Sequence, residues 1–323
     1  MIEKFEKIEI QSKISAMVNL NVDFCGVKFE NPLVLASGVL GVTAGSLARV
    51  VELGAGGVTT KSLWRQPHPG HKNPVMFGTE HYFMNAVGLS DAGLEKGIET
   101  LTELKEKTDA PLIANIVAAK IEDFGSIAES IDILQPDIIE INISCPNVES
   151  ELGKPFACSR TDAAAVTKIV RSRTRLPLAV KLSPNVENIV DIAKSVVDAG
   201  ANAITAINTV GPGMRWNIDL CSPMLANRVG GISGPAIFPI AVKSVFDIHA
   251  ALPNTPIIAT GGINSGRDVL EIMMAGGTLA GVGTALYYHG DDFWKNAKAE
   301  ITEWLDENNF KNISEVIGIF HKK

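Results

Sequence analysis

The feature that most limits what this chain can fold into is an alternation, repeated eight times, between a short apolar, β-branched run and a longer amphipathic one. The short runs are 32–37 (PLVLAS), 56–62 (GGVTTKS), 111–117 (PLIANIV), 138–145 (IIEINISC), 177–184 (PLAVKLSP), 203–210 (AITAINTV), 256–263 (PIIATGGI) and 279–286 (LAGVGTAL). Helical patterns fall between them, among them 94–108, 162–174, 189–199 and 267–275. In 189–199, Ile189, Ile192, Ala193, Val196 and Val197 recur at the spacing of one helix face, and Gly200 supplies a stop. Near-continuous apolar strands suit a parallel sheet covered on both sides, and a helix between successive strands makes them parallel. Eight such units predict a closed (β/α)8 TIM barrel in preference to an open doubly wound sheet. Ahead of the first strand, 21–31 (NVDFCGVKFEN) alternates around Cys25-Gly26 and predicts an N-terminal β-hairpin at the barrel floor.

Length then bears on domain count. The 323 residues could make about two domains, but α/β barrels run past ~250 residues as one unit. A single barrel over 21–323 is expected, preceded by an extension over 1–20. The net charge of −7 carries no basic block, which argues against nucleic acid as a partner. No stretch approaches the ~20 uninterrupted apolar residues of a membrane span, and the N-terminus has no ~7–15-residue apolar run of a leader, so a cytoplasmic protein is expected. The four cysteines, Cys25, Cys145, Cys158 and Cys221, show no CxxC spacing; reduced thiols and no metal are expected. His68 and His71 stand three apart, but Pro67 and Pro69 argue against the helix that would pair them on a metal.

The eight strands close, in order, on Ser37, Lys61 with Ser62, Asn115, Asn142 with Cys145, Lys181, Asn208 with Thr209, Gly261-Gly262, and Gly283-Thr284. Polar residues ending apolar strands cost burial energy unless they meet each other or a ligand. The C-terminal rim of a barrel is where βα loops assemble a site, so these ends predict a polar ligand site there, with long loops over it. The glycine pairs at strands seven and eight, with Thr284, suit the usual barrel phosphate site, because glycine lets backbone N–H groups approach phosphate oxygens. Gly230-Gly-Ile-Ser-Gly234 is a further loop of that type. Cys145 could serve as nucleophile, as base, or only as a small buried apolar group.

Taken together, Ala36-Ser37-Gly38, Thr60-Lys61-Ser62, Asn85-Ala-Val-Gly-Leu89, Asn115, Asn142-Ile-Ser-Cys-Pro-Asn147, Lys181-Leu-Ser-Pro184, Ile207-Asn-Thr209, Gly231-Ile-Ser-Gly-Pro235, Gly261-Gly262 and Gly283-Thr284 occur in the order found in one family. From about Val22 to Tyr287 the sequence resembles the dihydroorotate dehydrogenases, specifically the soluble class with cysteine at the base position. The resemblance implies FMN across the barrel mouth. Gly261, Gly262, Gly283 and Thr284 would hold its phosphate; Ala36, Ser37, Lys61, Ser62, Asn115, Asn142, Lys181, Ile207 and Gly234 would complete the cofactor site. Dihydroorotate, or its product orotate, would lie on the ring. Asn85, Val87, Gly88, Leu89, Asn142, Asn147, Asn208 and Thr209 would read the pyrimidine, with Lys61 attracting its carboxylate. Cys145 would take the C5 proton while the C6 hydride passes to flavin N5, in the pathway to UMP.

The stretch from Asn208 to Asn217 is more similar to the NAD-linked form (1B) than to the fumarate-reducing one. That form implies a homodimer joined by a second subunit carrying FAD and an iron–sulfur cluster, a heterotetramer. Dihydropyrimidine dehydrogenases have histidine where this chain has Asn147, and membrane-attached relatives have serine where it has Cys145. A non-redox phosphate-binding synthase or isomerase would share the glycines but has no use for the cysteine, asparagines and lysines together. Residues 64–83, with His68, His71 and His81, match nothing in the resemblance.

Overall fold

The computed structural model describes residues 18–144 and 156–322. The hairpin comes first, β1 (Val22–Phe24) and β2 (Val27–Phe29). Eight parallel strands then close on themselves: β3 (Leu33–Leu35), β4 (Gly57–Thr59), β7 (Leu112–Ile116), β8 (Ile138–Asn142), β9 (Leu178–Lys181), β10 (Ala203–Ala206), β15 (Ile257–Thr260) and β16 (Leu279–Val282). Their neighbours follow chain order, and β16 returns to pair with β3. Nearly every residue of these strands is buried, as expected of a sheet with side chains inside the barrel and helices outside.

The outer ring is α1 (Ala44–Glu52), α2 (Leu94–Lys107), α3 (Ile121–Asp132), α4 (Arg160–Arg171), α5 (Ile189–Asp198), α6 (Phe238–Ala251) and α7 (Gly266–Met274), closed after β16 by the short α8 (Ala285–His289) and by α9 (Phe293–Glu307). Caps set the helix ends. Thr43 and Ser46 form a capping box at α1, the Asn188 side chain accepts from Val190 and Asp191 at α5, and Gly200 follows α5 at φ 110°. The helix expected over 162–174 begins earlier, because the Ser159 hydroxyl accepts from the Asp162 N–H and makes Ser159 the cap.

The hairpin turns through Cys25 and Gly26, both at positive φ (57° and 84°), the pairing a two-residue hairpin turn needs. Phe24 and Phe29 are fully buried and meet edge to face. A Cβ on Gly57, at the start of β4, would stand 2.6 Å from the Phe29 ring, so the hairpin seats against the N-terminal end of the barrel strands. Of the expected extension 1–20, only 18–20 are described; there Asn19 pairs with Asn312.

One expected strand divides. The run 203–210 does not continue as a single strand: β10 ends at Ala206, and Val210 opens β11 (Val210–Met214). With β14 (Val229–Ser233), β6 (Phe83–Asn85) and β5 (Met76–Gly78), β11 forms an antiparallel sheet in the order β11-β14-β6-β5. Val210 pairs with Ile232 of that sheet, so its backbone hydrogen bonds leave the barrel ladder. A small ribbon, β12 (Trp216–Asn217) with β13 (Ser222–Pro223), extends from it. Asn85, Val210, Ser233 and their neighbours thereby bring this second sheet to the C-terminal rim.

Candidate functional site

A cavity opens at the C-terminal ends of the barrel strands, between the rim and the added sheet. Of the residues expected there, Ala36, Ser37, Lys61, Ser62, Asn85, Val87, Gly88, Leu89, Asn142, Lys181, Ile207, Asn208, Thr209, Gly261, Gly262, Gly283 and Thr284 line it together. Cys145 and Asn147 lie outside the described residues. Two expected residues do not line the cavity. Asn115 is fully buried below it. Gly234, at φ 85°, precedes the turn Pro235–Ile237, whose Ile237 is on the cavity wall.

Charge is the first chemical fact about this lining. Among the described residues it contains Lys61 and Lys181 and no carboxylate, and neither lysine has an ion-pair partner. Lys181 is buried, at 7% exposure, at the end of β9. Burial lowers the Lys61 ammonium below the usual lysine range, against a smaller opposing pull from Asp91. The Asp91 carboxylate is already engaged by the backbone N–H groups of Trp64 (3.1 Å) and Gly93 (2.8 Å). Two cations with no counter-charge among the described residues suit this wall to an anion.

Below and beside the lysines lie two polar tiers. In the upper one, Asn208 Nδ2 donates to Ser144 Oγ (2.9 Å), Ser144 Oγ donates to Asn142 Oδ1 (3.0 Å), and Asn142 Nδ2 donates to Ser62 Oγ (3.1 Å). In the lower tier, the buried Glu140 carboxyl accepts from Asn115 Nδ2 at 2.5 Å and from Thr205 Oγ1 at 2.6 Å. Strand register explains that reach. Glu140 pairs with Ala179 on β9, whose small side chain lets the carboxyl pass to Thr205 on β10. Asn115 Oδ1 is left buried with no hydrogen-bond partner.

Two short segments complete the wall. The loop 85–89 turns through Gly88 and Leu89, at φ 71° and 54°, and His71 braces it: its backbone N–H donates to Val87 O, and its Nδ1 lies 3.1 Å from Ala86 O. A Cβ on Gly88 would stand 2.7 Å from the His71 ring, so only glycine allows this approach. At the other end, a Cβ on Gly283 would meet nothing nearer than Val39 Cγ2 (3.8 Å) and Ala36 Cβ (3.9 Å), both cavity-lining residues; the missing side chain widens the cavity. Asn185 ties down the strand-six loop, donating to Thr209 O (3.0 Å) and accepting from the Gly211 N–H (2.9 Å).

Sequence reasoning missed Ser144, Glu140, Thr205, Asn185 and the bracing role of His71. Ser144 stood in plain view inside the Asn142–Asn147 motif, and its position two residues after Asn142 was the available signal. Of the remaining histidines of that segment, His68 packs its ring against Trp64 and pairs its backbone with Asp91, and His81 lies beside Glu80. Among the described residues no helix is long and apolar enough to cross a membrane.

A family model described as dihydroorotate dehydrogenase matches residues 19–305. The chain is 39% identical over 306 residues to the catalytic subunit of dihydroorotate dehydrogenase B (NAD(+)) of Methanocaldococcus jannaschii, covering 94% of this chain and 98% of that one. The corresponding subunit of Bacillus thuringiensis is also 39% identical over 306 residues, with 94% and 97% covered. Among solved structures, the Eimeria tenella enzyme bound to ferulenol superposes with a TM-score of 0.81 over 94% of this chain and 89% of its own; at 22% identity it speaks for the fold alone.

Proposed function

Because the chain belongs to the dihydroorotate dehydrogenase family, we propose that the rim cavity oxidises (S)-dihydroorotate to orotate. The observation that carries this reading is the lining itself, which joins two unpaired lysines, a chain of amides and two glycine loops, with no acidic side chain among the described residues. An anionic, hydrogen-bonding, flat ligand pair suits such a wall better than any neutral substrate.

FMN fits the residues present. Lys61 and Lys181 stand on the wall without ion-pair partners among the described residues, and the space left by the absent Cβ of Gly283 opens beside the loops suited to a phosphate. Gly261, Gly262, Gly283 and Thr284 would hold the phosphate, and Ala36, Ser37, Ser62, Asn142, Lys181 and Ile207 the rest, with Asn115 below and Gly234 beside. When bound, FMN supplies a two-electron acceptor for the hydride leaving C6 of the substrate. Lys181 offsets negative charge gathering at that end of the site. Lys61 holds the substrate carboxylate. Asn85, Asn142 and Asn208, with Val87, Gly88, Leu89 and Thr209, orient the ring, and Asn147 joins them by family resemblance. Cys145, by the same resemblance, takes the C5 proton as a general base.

The relatives named as catalytic subunits of an NAD(+)-dependent enzyme support the NAD-linked class for this chain. Electrons then leave through a partner subunit carrying FAD and an iron–sulfur cluster, docked on a homodimer of this chain. The test begins with colour. Purified protein reconstituted with FMN should be yellow and should bleach anaerobically when dihydroorotate is added. Protein that binds no FMN, or whose flavin stays oxidised under dihydroorotate, overturns the reading. Adding NAD with and without the partner subunit then assigns the acceptor.

A further inference from the structure

We infer that Ser144 is a positioning residue that fixes the hydrogen-bond polarity with which Asn142 and Asn208 meet the ligand ring. The inference rests on the reading of the cavity as an orotate site and concerns which ring edge that site accepts.

An asparagine amide is ambiguous: rotated by half a turn, it exchanges donor and acceptor. Here the neighbours remove the ambiguity. Asn142 Oδ1 takes the Ser144 backbone N–H (3.3 Å) and the Ser144 hydroxyl (3.0 Å), which fills both lone pairs. Asn142 Nδ2 spends one hydrogen on Ser62 Oγ (3.1 Å). What Asn142 has left for the cavity is a single N–H donor. On the other side, Asn208 Nδ2 donates to Ser144 Oγ (2.9 Å) and Ser144 O (3.3 Å), while Asn208 Oδ1 accepts from the Thr209 N–H (2.8 Å) and keeps one lone pair. Asn208 therefore offers an acceptor.

Ser144 is the hinge of this arrangement. Its hydroxyl accepts from one amide and donates to the other, and it is fully buried, so no water competes for either bond. The wall presents a donor from β8 and an acceptor from the β10 loop, the complement of a ring edge carrying a C=O and an N–H. Orotate has such an edge; a plain aromatic carboxylate has the charge and the flat ring without it. Ser144 touches neither ligand nor cavity. Its effect on recognition runs through the two amides.

The experiment measures orotate and benzoate binding to the FMN-loaded protein and to Ser144→Ala and Ser144→Cys, by flavin absorbance perturbation and calorimetry, with FMN content and melting temperature as controls. Ser144→Ala should lower orotate affinity by on the order of tenfold or more, the loss of one to two hydrogen bonds. It should leave benzoate affinity unchanged. Ser144→Cys, nearly isosteric with a weaker donor, should fall between. Equal losses for both ligands, or none for orotate, overturn the inference. The cysteine variant decides the matter alone if the alanine variant does not retain FMN: orotate selectivity equal to that of the native protein sinks the proposal. Failure of the native protein to bind orotate at all refutes the orotate site instead, which keeps the two failures distinct.

Discussion

A lysine half-buried in a cavity is a cation kept from water, and the cost shows in Lys61, whose ammonium is pushed below the usual range by burial. The lowered value has a consequence for binding. The charged form exists below the pKa, so orotate affinity should be full near neutrality and decline as pH rises, beginning at lower pH than an ordinary lysine would allow. Lys61→Arg should flatten that decline within the accessible range, because guanidinium keeps its proton. Lys61→Ala should cost ~30-fold or more in orotate affinity, as loss of one partner of a desolvated charge pair does. Titrations from pH 7 to pH 10 check both; a pH-independent affinity in the native protein removes Lys61 from the carboxylate site. Cys145 gives the companion prediction in rate. Cys145→Ala should keep FMN and orotate binding yet slow flavin reduction ~10²–10⁴-fold, read by anaerobic stopped flow, and an unchanged rate would assign the base elsewhere. Lys61 was legible as a rim residue because a lysine closing an apolar strand is conspicuous, and the structure puts it on the cavity wall; the part given to Cys145 comes from family resemblance. The motif showed Ser144 but not its role, and Glu140 gave no signal, since a hydroxyl just past a strand or a carboxyl within one tells its role only when its neighbours across the barrel are known: Asn208 is 64 positions from Ser144, and Thr205 is 65 from Glu140.

Elements differ in how openly the sequence declares them. The barrel strands were readable because a strand buried on both faces must be apolar throughout, and α5 because Ile192, Ala193 and Val196 mark one face and Gly200 its end. The sheet over the rim was not. Its strands are short, β11 reads Val-Gly-Pro-Gly-Met, and it is assembled from segments around 80 and around 220 whose pairing no local pattern foretells. That is also why the strand expected over 203–210 ran four residues too long. The glycine loops can be tested as elements. Gly283→Val places a branched side chain into the space now bounded by Val39 and Ala36, so FMN affinity should drop on the order of tenfold or more while far-ultraviolet dichroism remains that of the barrel. Native FMN affinity in this variant would show that the strand-eight loop does not hold the cofactor. The floor hairpin predicts the opposite pattern. Phe29→Ala empties a fully buried ring site, at ~3–5 kcal/mol; the melting temperature should fall, with FMN affinity kept because the cavity lies at the other end of the strands.

At the scale of the molecule, the barrel is clasped a second time by residues 311–322. Residues 311–313 pair with Asn19, Gly318 N–H donates to Met273 O at the end of α7, and the turn Ile319–Lys322 brings His321 onto α6. There His321 stacks on Phe246 at 4.1 Å and lies 4.8 Å from His249, with its Nε2 2.9 Å from Ala275 O. His249 Nδ1 is buried without a partner, and burial, helped by the facing His321, pushes the His249 pKa below 6.5. On α6, Lys243 and Asp247 pair with each other at 2.5 Å. The sign follows from linkage. A histidine whose folded pKa is depressed binds its proton more readily when unfolded, so stability is undiminished above about pH 6.5 and falls as pH drops from there toward the folded value. The C-terminal clasp should therefore loosen first under mild acid. Protection factors at 313–322, the intrinsic amide rate divided by the observed exchange rate at each pH, should fall between pH 7 and pH 5 ahead of those of the barrel strands, and His249→Gln, which carries no titrating proton, should remove that fall. Protection in this segment that does not change with pH, or changes equally in the variant, would deny His249 the role; nothing in the rim cavity takes part in it, so flavin reduction by dihydroorotate should be the same in both proteins at neutral pH.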